Sequence, residues 1–164
     1  GVVYLANLVG AVIVATIMLL AKQYTFAGGA VGKTALAIAN SKSGLEFGAA
    51  IGLGIMCNML VCLAVWMTFS ARTTGGKIAA IILPITAFVA AGFEHSVANM
   101  YFIPMGLFIK WFDPAFTAGA GEFVNLTLGN FFLKNLLPVT IGNIIGGAFF
   151  IGAVYWLIYL RKNK

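Results

Sequence analysis

The sequence predicts an all-α membrane protein, a bundle of apolar helices with one of them broken in mid-membrane. Three observations predict it. Hydrophobic residues make up 62% of the 164 and charged residues only 9%, with a mean hydropathy of +1.02; a soluble domain carries about 25% charged residues. Charge-free runs recur along the chain at lengths near the ~20 apolar residues that one helical crossing needs. One of them, Ile78 to Ile109, is far too long for a single crossing and is uncharged apart from Glu94 and His95 at its centre.

The elements follow in order. Val2 to Ala21 is the first span, ended by Lys22. Residues 22–43 read as a loop held at the water interface by Lys22, Lys33 and Lys42, with Gly28, Gly29 and Gly32 in it and room for a short helix over Thr34 to Ala39. Phe47 to Ser70 is the second span. Its first half carries Gly48, Ala49, Ala50, Gly52 and Gly54, small residues that let helix backbones approach closely. A short link with Arg72 and Lys77 leads to the long run, broken near 92–96, and residues 110–135 form the next loop. Leu136 to Leu160 is the last span, with Pro138 in its first turn, where proline is tolerated. Tyr155, Trp156 and Tyr159 suit an interfacial aromatic belt, and Arg161, Lys162 and Lys164 follow. All of this is expected to form one transmembrane domain.

The net charge of +6 comes from ten Lys and Arg in the connections and tail. No basic face is large enough for nucleic acid, so the expected partner is the lipid bilayer. Arg72 and Lys77 lie on one side with Arg161, Lys162 and Lys164; Lys22, Lys33, Lys42, Lys110 and Lys134 lie on the other. The totals balance, but density per residue places the link and the C-terminus in the cytoplasm. The lysines of the outer loops then suit an anion-attracting vestibule. Cys57 and Cys62 are about a turn and a half of helix apart and point to different faces, so they read as buried free thiols without a metal or disulfide role. No cofactor is expected. The chain has neither an initiator Met nor a signal-peptide pattern, and it reads as the C-terminal part of something longer.

Asn7-Leu8-Val9-Gly10-Ala11 in the first span resembles Asn143-Ile144-Ile145-Gly146-Gly147 in the last. An odd number of crossings separates the copies, so they run in opposite directions. Inverted repeats of this kind build transporters, with the site at the repeat interface near the midplane. The symmetry asks for further spans upstream of Gly1, one of them also broken.

Each half of the long run is too short to cross alone. Irregular backbone at this depth is tolerated only where it lines a cavity or is buried in protein, and ionisable residues there are usually functional. Ser96 is a good N-cap for the second half-helix, whose N–H groups and positive dipole end suit an anion. His95, the only histidine, offers one donor when neutral, and two with a charge when protonated. The alternative is a buried neutral histidine tying the break to a neighbouring helix. Glu94 would repel an anion, so it is expected to be buried sideways, hydrogen-bonded and structural. Phe88 falls two turns before His95 and shares its face or faces lipid. Asn58 and Asn143 are either pore donors or interhelical hydrogen-bonding groups. Asn99 supports the second half-helix, and Pro104 bends it.

The segment from Ala91 through Gly92-Phe93-Glu94-His95-Ser96 to Gly106, with Pro138 to Gly147 and Cys57 to Cys62, resembles the formate–nitrite transporter family, closest to its formate channels. The resemblance covers the whole chain. It implies an aquaporin-like, inverted-repeat helical bundle of six spans, the second and fifth broken, of which this chain holds four. It implies a homopentamer in the bacterial inner membrane, with a pore in each protomer. It further implies a cytoplasmic constriction at Phe88, a periplasmic one at Val61, and pore residues at His95 and Asn143. Lys42, Glu94 and Asn99, with Gly92 and Ser96, would support the break.

The function expected is passive or proton-coupled passage of formate and similar small monovalent anions. Nitrite and hydrosulfide are rivals that the same break would serve, and a non-conducting structural subunit is a remote one. An enzyme is not expected: there is no second histidine, and neither cysteine is near a base.

Overall fold

The structure is a computed structural model and describes residues 1–161. Lys162 and Lys164, which enter the expected orientation of the C-terminus, lie outside the described residues. Regular structure among the described residues is helical throughout. The chain separates into two compact units that alternate along the sequence. One holds Gly1–Phe47 and Ser96–Leu137, the other Gly48–His95 and the chain from Pro138 onward.

The first unit opens with α1 (Val2–Leu20). Two tight turns over Gln23–Thr25 and Ala27–Gly29 lead into α2 (Ala30–Ser43). This helix of 14 residues replaces the expected loop with its short helical piece. Its buried residues Gly32, Leu36, Ala39 and Ser43 recur at helical spacing. They pack against α5 (Ser96–Phe112), where a side chain at Gly106 would collide with the Ala39 methyl. Met100, Ile103, Leu107 and Ile109 of α5 are fully buried with Leu36 and Leu126. Pro104 lies inside α5 without ending it.

The end of α5 is fixed by Asp113-Pro114. One carboxylate oxygen of Asp113 accepts from the Phe116 N–H at 3.0 Å and caps the short α6 (Pro114–Ala120). The other accepts from the Tyr24 hydroxyl at 2.9 Å. Lys110, counted above among the vestibule lysines, donates to the carbonyls of Phe123 (2.8 Å) and Leu126 (3.0 Å) and so clamps the following loop.

The hydrogen bond to Asp113 raises the Tyr24 pKa above its ordinary value; burial and the carboxylate charge add to it. Because the folded value is the raised one, the stabilisation is complete below the ordinary phenol titration. It is lost as pH climbs through the folded value. The thermal midpoint of the wild type is therefore expected to fall above about pH 10 more steeply than that of Tyr24→Phe. Parallel alkaline slopes in detergent melts of the two proteins would show that the bond carries no such linkage.

The second unit contains α3 (Phe47–Ser70) and α4 (Thr74–Ala90). The Thr73 hydroxyl caps α4, accepting from the Gly76 N–H at 3.1 Å, so the helix begins ahead of Lys77. The last helix, α7, runs unbroken over Leu128–Leu160 and belongs to both units. It starts well before the expected Leu136, and Pro138 lies in its interior. The wide π turn over Phe131–Leu136 precedes that proline. A wider turn makes room where the ring would otherwise meet the carbonyl one turn back. α1, α3 and α7 are long and apolar enough to cross a membrane.

α3 and α7 touch backbone to backbone. A Cβ at Gly142 or Gly146 would run into the carbonyls of Ile51 and Ile55, and one at Gly54 would sit 2.8 Å from the Val139 carbonyl. At the far end Trp66 stacks on Tyr155 at 3.8 Å, and Tyr155 on Tyr159 at 5.6 Å. Two members of the expected aromatic belt thus brace α3 against α7. By contrast Gly48 and Gly52 have open space beside them.

Candidate functional site: the break between α4 and α5

α4 stops because Gly92 turns left-handed, at φ 69°. The Phe93 N–H reaches back to the Phe88 carbonyl at 3.0 Å and the Gly92 N–H to the Val89 carbonyl at 3.1 Å. This paired closure satisfies the last carbonyls of the helix and needs a residue at ease with positive φ. The chain resumes as helix at Ser96, the first residue of α5. The carbonyl end of one helix and the N–H end of the next therefore both abut the five-residue interval 91–95.

Glu94 is buried, 3% exposed. Its backbone is held on both sides: its N–H donates to the Leu53 carbonyl at 3.3 Å, and its own carbonyl accepts from Asn143 Nδ2 at 2.9 Å. The second hydrogen of the same Asn143 amide goes to the Gly54 carbonyl, also at 2.9 Å. Asn58 Nδ2 donates to the Asn143 main-chain carbonyl at 2.8 Å. Glycines 54, 142 and 146 explain this reach, since only helices whose backbones touch bring a side-chain amide onto carbonyls of both the facing helix and the break. Both asparagines thus make interhelical hydrogen bonds.

His95 is half-buried, and its ring lies 6.1 Å from that of Phe88 at an interplanar angle of 32°. The left-handed turn at Gly92, rather than a shared helical face, brings the two together. Val61 is half-buried on α3, about 12 Å further along the helix than Leu53 at 1.5 Å per residue. It therefore belongs to a different level from the break.

In the first unit Ser96 is buried, 4% exposed, and Asn99 lies one turn on, 1% exposed. Asn99 Nδ2 donates to Asn135 Oδ1 at 2.8 Å, and Asn135 Nδ2 donates to the Lys42 carbonyl at 3.0 Å. The Lys42 ammonium sits 5.9 Å from the centre of the Phe102 ring on α5. Asn135 is the member that sequence reasoning passed over, because Lys134 marked its surroundings as a loop. An amide set among Phe131, Phe132, Leu136 and Leu137 was the available signal.

No group of three or more His, Cys, Asp or Glu that could hold a metal ion occurs among the described residues. In the second unit the arrangement is a main-chain break with an imidazole and a phenyl ring beside it, tethered by the buried Asn143 amide.

The formate/nitrite transporter profile matches residues 1–157. The chain is 48% identical to the formate channel FocA of Escherichia coli K12 over 98% of its own length and 58% of that protein's. It is 46% identical to the formate channel FocA of Haemophilus influenzae over 99% of its length and 58% of that protein's. It thus spans less than two thirds of these relatives. A solved pentameric formate channel with formate bound superposes with a TM-score of 0.90 at 48% identity, covering 98% of this chain and 65% of that one. A second solved structure, an FNT family ion channel, gives a TM-score of 0.73 at 33% identity over 94% of this chain and 56% of that one. The fold is that of an all-α membrane channel, and the chain belongs to the formate/nitrite transporter family.

Proposed function

We propose that the complete protein is a membrane channel or transporter for formate and related small monovalent anions, with the interval from Gly92 to Ser96 on its path. One observation carries this reading. The long apolar run breaks at the chain's only histidine, and buried amides hold the flanks of the break while His95 is left half-exposed. A purely structural break has no need of an ionisable ring at that point.

In this reading an anion sheds water at apolar constrictions that include Phe88 and Val61. His95 and the N–H groups that open α5 replace part of the lost hydration. Asn143 keeps the wall of the path in place through the Glu94 carbonyl, so that the Glu94 main chain does not wander. Gly92 and Ser96 set the ends of the break, and Lys42 and Asn99 support its far flank. Passage is passive or proton-coupled, with protonated His95, or proton donation from it, favouring import at acid pH. The protein is a homopentamer, a reading that its pentameric solved relative supports. It lies multi-pass in the bacterial inner membrane with Arg72, Lys77 and Arg161 on the cytoplasmic side.

The family and the relatives above are transporters and channels rather than enzymes. Nitrite is the second reading, because the family takes its name from it as well. The test is flux into proteoliposomes carrying the full-length protein, with formate, nitrite and hydrosulfide each offered separately. Formate is expected to move fastest above protein-free vesicles. Faster nitrite or hydrosulfide would replace formate as the substrate, and no flux of any of them would leave a structural subunit.

A further inference from the structure

We infer that Asn135 is a positioning residue for anion passage: it holds the C-terminal turn of α2, with Lys42, against the first turn of α5. The inference rests on the channel reading above. Asn135 is fully buried, and its amide is used in both senses, accepting from Asn99 at 2.8 Å and donating to the Lys42 carbonyl at 3.0 Å. Asn99 lies one turn after the point where the chain leaves the break. Lys42 is the basic residue in the last turn of α2, and its ammonium faces Phe102, nearly one further turn along α5. A single side chain therefore fixes where α5 starts relative to the end of α2. Its own place is set by the π turn over Phe131–Leu136 that precedes Pro138, and such turns occur often at functional sites.

Buried amides of this kind act in two separable halves. In Asn135→Leu both halves are lost while branching and heavy-atom count are kept. In Asn135→Asp the acceptor for Asn99 is kept and the donor to the Lys42 carbonyl is lost. The experiment is hydrogen–deuterium exchange on the full-length protein in lipid nanodiscs, paired with formate flux into proteoliposomes. Asn135→Leu is expected to speed exchange about tenfold in the first turns of α5 and the last turn of α2, with α3 unchanged. It is also expected to raise the half-saturating formate concentration per folded protein. Asn135→Asp is expected to restore wild-type exchange in α5 but not at the end of α2.

Unaltered exchange in α5 of Asn135→Leu overturns the inference; so does an unchanged half-saturating formate concentration, and so does faster exchange spread evenly over both units, which marks ordinary core loss. If Asn135→Leu does not fold, Asn135→Asp decides alone: faster exchange confined to the end of α2 supports the inference, and any other pattern overturns it. Failure of the channel reading is visible separately, as wild-type protein that carries no formate.

Discussion

Full-length protein carrying Asn143→Leu moves formate no faster than protein-free vesicles and unfolds at a lower temperature than the wild type. Leucine keeps the branching and heavy-atom count of asparagine, so a cavity is not the cause. What is lost is one amide that donates to the Gly54 and Glu94 carbonyls, both at 2.9 Å. A lost hydrogen bond of this kind costs about 0.5–1.5 kcal/mol, and two are lost together. The Glu94 carbonyl matters more for flux, because it belongs to the break itself. Asn58→Leu is the comparison. It removes one part-buried bond to the Asn143 carbonyl, at 2.8 Å, and is expected to lower the unfolding midpoint by a smaller amount while leaving measurable flux. Wild-type flux through a well-folded Asn143→Leu protein would show that the break keeps its shape without this tether.

The position of the break was legible in the sequence because lipid imposes a length limit. A run as long as Ile78 to Ile109 has to be interrupted, and glycine followed by two ionisable residues marks where. The edges were less legible. Lysines were read as helix ends, yet Lys77 lies inside α4 behind its Thr73 cap, and Lys134 lies inside α7. A lysine near a membrane surface can stay helical and reach water with its long stem. α2 was hidden by its glycines, although Gly32, Leu36, Ala39 and Ser43 already showed a helical stripe. The sequence could mark the residues around the break, but it could not say which partner each would take. Which asparagine bonds to which carbonyl depends on glycines 54, 142 and 146 letting two helices touch, and that is a property of packing rather than of spacing.

His95→Asn removes the pH dependence of formate uptake. With one proton controlling import, uptake above the titration midpoint changes by up to about tenfold per pH unit. Asparagine fills a similar space and keeps a donor, but it cannot titrate near neutral pH. His95 is the chain's only histidine and lies beside Phe88, with its neighbour Glu94 buried and held through the backbone. A substitution here therefore leaves the tethers from Asn143 and Leu53 in place. The variant is expected to carry formate with a nearly flat profile after the contribution of protein-free vesicles has been subtracted. That subtraction is needed because neutral formic acid crosses lipid by itself, and more so at low pH. A second variant, His95→Phe, removes the donor as well and is expected to lower flux at every pH. If His95→Asn retains the wild-type slope, proton control does not reside in this ring.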